Sequence, residues 1–198
     1  MNSMYIVIYR GKFGFIKPWT AVRDGETFSQ QFLTPSIIEG IEKKLFPELL
    51  ELNGEIVKIV RHKLRYATID TQQEVTQTSG VTKLPNSNLG TRGTWKNGKI
   101  NFTPITRGIM IDPVLYLAFQ EQADAEIASR QHICLCRNED LMLPDAEIYQ
   151  MTEEEFDNIE GFELRFGESP QSFLVGYNRF DDGKPMYGWI EYNGNNLM

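Results

Sequence analysis

The chain predicts an α+β fold of the ferredoxin-like β-α-β-β-α-β kind, with a long hairpin-like insertion and a small C-terminal β-sheet. Three observations predict it. Short β-rich runs recur along the 198 residues: "MYIVIY" at 4–9, "EIVKIVRHKLRYATI" from Glu55, "GIMIDPVLYLAF" at 108–119 and "HICLCRN" at 132–138. Two helical patterns, at 35–45 and 120–130, fall between these runs in the order such a unit requires. A stretch rich in Thr, Ser, Asn and Gly, residues 76–101, interrupts the middle of the unit as a long excursion.

In order, "MYIVIY" combines apolar residues with aromatic β-formers and reads as the first strand. "RGKFGF" follows, its glycines permitting a bulge or a close backbone approach. A polar loop from Lys17 to Gln31 leads to "FLTPSIIEG" at 32–40, a helix start: Thr34 is placed to cap with its hydroxyl and Pro35 fits the first helical position. Ile37, Ile38, Ile41 and Leu45 form one stripe, and Phe46-Pro47 ends the run because Pro47 disfavours a helical Phe46. The Glu55 run reads as one or two strands. In the excursion, Trp95 and the "NGK" turn at 97–99 suggest closure as a hairpin. Residues 108–119 read as a strand interrupted at Asp112-Pro113. "QEQADAEIASR" is a good helix former, and "HICLCRN" returns as a strand. Thr152 with Glu155 spells a capping box. "SFLVGYNRF", "DDGKP" and "MYGWIEY" read as a C-terminal hairpin. There is no repeat and no linker: residues 1–150 form the ferredoxin-like unit and 151–198 its C-terminal extension, within one compact body.

Apolar content of 41% and aromatic content of 12% point to a folded chain. No apolar run approaches the ~20 residues of a membrane span. The N-terminus reads as a strand and not a signal peptide, so the expected location is cytoplasmic, with no membrane partner. Cys134 and Cys136, two apart on a strand, are expected to point to one face and be buried together. With one Cys-x-Cys and no second pair they do not spell a zinc site, and no metal or other cofactor is expected. His132 reads as a buried core histidine. Net charge is −7, unevenly spread: residues 1–110 hold 15 Lys and Arg against 9 Asp and Glu, whereas 111–198 hold 5 against 18. That asymmetry suggests a basic face for a polyanion and an acidic face that is solvated or meets a basic partner. An acidic chain is not an autonomous, sequence-blind nucleic-acid binder, but it can be a subunit whose basic half faces RNA.

The Gly-x-Phe-Gly-Phe turn at 11–15 and "FLTPSIIEGI" at 32–41 resemble the first half of the CRISPR-associated Cas five family. "HKLRYATIDTQQEV" (62–75), "ITRGIMIDPVLYLAF" and "RQHICLCRNEDLML" resemble its next strands, and "SFLVGYNRFDDGKPMYGWIEYNG" the C-terminal hairpin of the type I-C branch. The resemblance implies a RAMP-fold, RRM-like subunit of a type I CRISPR effector that holds the 5′ handle of the guide RNA. Its implied partners are that RNA and the backbone and large subunits of the effector.

Residue chemistry is compatible with RNA binding. Gly11 and Gly14 permit close approach, Lys12 and Lys17 offer phosphate charge, and Phe13, Phe15 and Trp19 are able to stack on bases, although each aromatic also fits a core. Arg23, in the polar loop, is a further candidate. Arg61, Lys63 and Arg65 share one strand face at period two, a basic track or a solvated edge. Arg92, Lys96 and Lys99 sit in the excursion, where the family carries a thumb against RNA.

Members of the type I-C branch also cut precursor RNA, using a Tyr just after the first helix and a Lys-His pair. Here Phe46 stands at the post-helix position and has no hydroxyl, while His62-Lys63 lie in another segment, so no catalytic residue is assigned. The expected protein is a non-catalytic subunit. Its alternatives are a phage-encoded mimic that enters and blocks a type I effector, and a metal-independent nuclease with a rearranged site.

Overall fold

The computed structural model describes residues 3–18, 26–52, 55–74, 95–96, 99–100, 105–178 and 182–194. The architecture of the described residues is α+β: a large antiparallel sheet, a smaller mixed sheet beside it, a two-stranded hairpin and three short α-helices. The strands are β1 (Ser3–Arg10), β2 (Phe13–Gly14), β3 (Glu26–Phe28), β4 (Ile59–Arg65) and β5 (Thr68–Glu74) in the first half. There follow β6 (Trp95–Lys96), β7 (Lys99–Ile100), β8 (Ile105–Ile111), β9 (Val114–Phe119) and β10 (Ile133–Cys134). The last four are β11 (Leu141–Thr152), β12 (Gly161–Phe166), β13 (Phe173–Asn178) and β14 (Lys184–Asn193). Helix α1 (Pro35–Leu45) lies between β3 and β4, α2 (Gln122–Ala128) between β9 and β10, and α3 (Glu153–Asp157) after β11.

Eight strands form the main sheet in the order β10-β11-β1-β9-β4-β12-β14-β13. The C-terminal strands therefore extend the main sheet through β4, in place of the separate small sheet expected. β1 and β9 lie at its centre, and "VLYLAF" of β9 is buried at every position because both faces of the sheet are covered. One face carries Val7, Tyr9, Leu115 and Leu117 under α1 and α2. The other carries Ile6, Ile8, Tyr116 and Ala118 under Phe156 of α3.

Helix α1 takes the expected bounds, with Ile38, Ile41 and Leu45 buried and Ile37 partly so. Burying such side chains contributes about 1.5–3 kcal/mol each. Pro35 occupies the first turn, but Thr34 does not cap with its hydroxyl, which pairs with Ser36 Oγ at 3.1 Å. A buried carboxylate fastens the helix to the sheet: Glu42 accepts from the backbone N–H groups of Lys58 at 2.6 Å, Ile59 at 2.8 Å and Val57 at 3.0 Å. Residues 108–119 are not one interrupted strand. β8 and β9 belong to different sheets, divided at Asp112, whose φ of 47° turns the chain. β4 and β5 part at the same level, so β4-β5 and β8-β9 form one long ribbon bent at Tyr66–Ala67 and Asp112–Pro113. The excursion at 76–101 lies mostly outside the described residues, although β6 pairs with β7 as the expected hairpin does. Only Ile133–Cys134 of "HICLCRN" is strand, and the buried residues there are Ile133 and Leu135. Cys134 is half-buried, and Cys136 and His132 are exposed, contrary to expectation. Among the described residues no helix is long and apolar enough to cross a membrane.

The capping box of Thr152 and Glu155 starts α3 as expected. Its other end is held by a side chain from far away in sequence. Lys63 of β4 is 1% exposed and donates to the carbonyls of Phe156 (2.9 Å), Asp157 (2.8 Å) and Ile159 (2.9 Å). Three ammonium protons meet three carbonyls at the C-terminal end of this short helix, two of which also accept elsewhere, Phe156 from the Ile159 N–H at 3.1 Å and Asp157 from Asn193 Nδ2 at 2.7 Å. Replacing Lys63 by Met should destabilise the fold by about 1–3 kcal/mol, since it leaves the Ile159 carbonyl without this donor and takes one donor from each of the other two. Urea denaturation checks this, and a loss below about 1 kcal/mol would mean that water or a neighbour satisfies them.

Candidate nucleic-acid interface

Period two does place Arg61, Lys63 and Arg65 on one face of β4, opposite Ala118, Tyr116 and Val114 of β9. On that face, which α3 covers, two of the three cations are turned into the fold. All three are engaged by the acidic C-terminal half. Lys63 is committed to the carbonyls of α3 and has no ammonium proton left for phosphate. Arg61 reaches Glu163 at 2.5 Å and Asp157 at 2.7 Å, and lies 4.8 Å from the Phe156 ring centroid. Burial works against its charge, but the Glu163 and Asp157 carboxylates outweigh that and raise the Arg61 pKa. Asp157 moves the other way: burial opposes its charge, and Arg61, Arg165 and Lys63 lower its pKa. Arg65 is the outermost of the three, its side chain 41% exposed and 3.4 Å from Glu160.

Next to Lys63 on the opposite face, His62 buries its ring, and Nε2 has no hydrogen-bond partner among the described residues. Burial lowers its pKa to about 4, with Arg61 adding to the effect and Glu163 opposing it.

Gly11 and Gly14, expected to admit RNA backbone, are closely packed against the protein itself. A Cβ on Gly14 would stand 2.5 Å from Leu135 Cδ1, and one on Gly11 3.1 Å from the Leu141 carbonyl oxygen. Phe15 is core, with the guanidinium groups of Arg107 and Arg137 at 5.3 and 5.4 Å from its ring. Arg137 itself is spent on Asp140, at 2.7 Å, and on Glu74. Phe13 is half-buried. Lys12 and Lys17 are exposed, Lys12 at 91% of its side chain and 3.9 Å from Asp112. Trp19, Arg23 and Arg92 lie outside the described residues, as do the side chains of Lys96 and Lys99.

The structure brings two of the expected cations, Lys12 and Arg65, to one corner with residues that the sequence did not single out. Two adjoining grooves open at the corner of the bent ribbon. One, of about 510 Å³, is lined by Arg10, Lys12, Phe13, Asp112 and Leu143 among others. The second, of about 450 Å³, is lined by Arg10, Arg65, Tyr66, Asp112, Phe162 and Tyr192 among others. Tyr66 stacks on Phe162 with centroids 6.1 Å apart and planes 12° off parallel, and Phe162 meets Tyr192 at 4.8 Å. Burial, with Tyr192 beside it, raises the pKa of the Tyr66 hydroxyl. Gly161 makes the corner possible: its φ is +145°, and a Cβ there would stand 2.9 Å from the Leu64 carbonyl oxygen. Of the ladder, Tyr192 is exposed, and stacking of a base on such a ring is how single-stranded nucleic acid is commonly held.

The depressed pKa of His62 makes stability depend on pH. The unfolded chain, near pKa 6.5, takes up a proton that the folded ring does not accept until about pH 4. This stability is complete above about pH 6.5 and drains as pH falls towards 4. Between pH 7 and 4.5 the wild type should lose about 2–3 kcal/mol more than His62→Leu, by urea titration at each pH. Parallel losses in the two proteins would contradict the buried neutral ring.

Compared with known proteins, the chain matches no family model and no curated sequence.

Proposed function

We propose that the chain is a Cas-five-like, RNA-binding subunit of a type I CRISPR effector, holding the 5′ handle of the guide RNA without cutting it. The strand order β11-β1-β9-β4, antiparallel throughout and crossed by α1 and α2, supports a ferredoxin-like reading of the central unit. The observation that carries the function is the corner groove. It joins, through the shared Arg10 and Asp112, a groove lined by the exposed Lys12 of the Gly-x-Phe-Gly-Phe turn to one lined by the aromatic ladder, at the end of the first strand.

The state of Phe46 supports a non-catalytic role. It is 1% exposed, packs edge-to-face on Phe119 at 6.0 Å, and lies under the Lys58 ammonium at 4.3 Å. It is a core residue without a hydroxyl, in the place where RNA-cutting relatives use a Tyr. Cleavage without metal needs a base for the 2′-OH and an acid for the leaving oxygen, and Phe46 supplies neither.

Co-purification with the backbone and large subunits and a labelled guide RNA is the test, coupled to rescue of an effector lacking its own Cas five subunit. Rescue supports the proposal, loss of targeting on addition to a complete effector points to the mimic, and no association refutes both. In the RNA-binding assay, Lys12→Ala should flatten the log–log salt slope by about 0.7. Repeat RNA should stay intact on incubation with the purified protein. Clean handle-boundary cutting that co-elutes with it would refute the non-catalytic reading.

A further inference from the structure

The 450 Å³ groove differs in character from a phosphate channel. Its two guanidinium groups are already neutralised, Arg10 by Asp145 at 2.9 Å and Arg65 by Glu160 at 3.4 Å. Two carboxylates, Glu160 and Asp112, stand in its lining. A phosphate would meet paired cations and like charge. A neutral, flat ring with N–H donors on its edge would meet acceptors and an aromatic ladder.

The ladder of Tyr66, Phe162 and Tyr192 provides that surface, and Tyr192 at its end is 38% exposed. The volume lies within the range of small-ligand pockets and is enough for a base with its sugar. Asp112, at φ 47° in a left-handed turn conformation that Asp tolerates, lies where both grooves meet.

We infer that this groove is a nucleobase pocket: it takes one unstacked base of a single-stranded RNA against Tyr192 and reads its exocyclic amine with the Glu160 carboxylate. The inference rests on the RNA-binding reading and deepens it by dividing the labour. Phosphate is met at Lys12 in the adjoining groove, and the base enters beside it. Cytosine and adenine carry the amine and uracil does not, so the pocket discriminates against uracil.

Fluorescence anisotropy with short fluorescein-labelled oligo(rC) and oligo(rU) tests this. Wild type should prefer oligo(rC). Tyr192→Ala should weaken oligo(rC) about tenfold, as loss of one base–aromatic stack does, with an unchanged salt slope because no phosphate contact is lost. Tyr192→Phe, which keeps the ring, should bind like wild type, and circular dichroism should show both variants folded. Glu160→Gln should shrink the ratio of oligo(rC) to oligo(rU) affinity, whatever it does to overall binding by freeing Arg65. If Tyr192→Ala binds as wild type does while Lys12→Ala flattens the slope, the pocket is refuted and RNA binding stands. If wild type binds neither oligomer, both fall.

Discussion

One buried ammonium group holds the two halves of this protein together. Lys63 sits in the middle of β4, on a face of the sheet that α3 closes, and its three protons go to the carbonyls of Phe156, Asp157 and Ile159. Taking an ammonium out of water costs several kcal/mol unless every donor finds a partner, and here each does. Arg61 repeats the arrangement one step along the strand, with Glu163 and Asp157 as partners and the Phe156 ring against its guanidinium. Through these contacts the basic first half of the chain neutralises the acidic second half. Part of the charge asymmetry is therefore consumed inside the fold, Arg61 against Glu163 and Asp157 and Arg65 against Glu160.

That consumption decides where a polyanion has access. With Arg61 and Lys63 turned inward, the cations that the ribbon corner offers to solvent include Lys12, which is exposed, and Arg65, which is half so. The corner exists because β4-β5 and β8-β9 bend together, with Asp112 taking a left-handed turn on one strand pair and Gly161 allowing β12 to approach Leu64. The same clamp that removes two cations from the surface brings β12 and β14 alongside β4, and with them Phe162 and Tyr192. Clamp and groove are two consequences of one packing arrangement.

Elements with strong local signals were legible in the sequence. The Ile stripe and Pro35 define α1, Thr152 and Glu155 define the start of α3, and "DDGKP" closes the β13-β14 hairpin with positive φ at Asp182 and Gly183. β11 was not legible, because "LMLPDAEIYQMT" alternates poorly and is recruited by pairing with β1. β12 does alternate, with Phe162, Leu164 and Phe166 against Glu163 and Arg165, but its six residues follow α3 closely and are not read as a strand from the sequence alone. β8 and β9 look like one run, since both are apolar and only the conformation of Asp112 parts them. For β4, periodicity gave the correct shared face of Arg61, Lys63 and Arg65 and said nothing of what covers it. The aromatic ladder draws Tyr66, Phe162 and Tyr192 from three separate stretches, and only strand pairing brings them together.

Backbone hydrogen exchange, measured on the free protein and with oligo(rC) bound, tests most directly whether RNA meets the corner and not the basic face of β4. Slowed exchange across Gly11–Gly14, Ala67–Thr68 and Gly161–Phe162, with Arg61–Leu64 and Glu153–Asn158 unchanged, is the predicted result. Protection centred on Arg61–Leu64 and α3 would contradict it, because it would require the Lys63 and Arg61 side chains to leave their internal partners for phosphate.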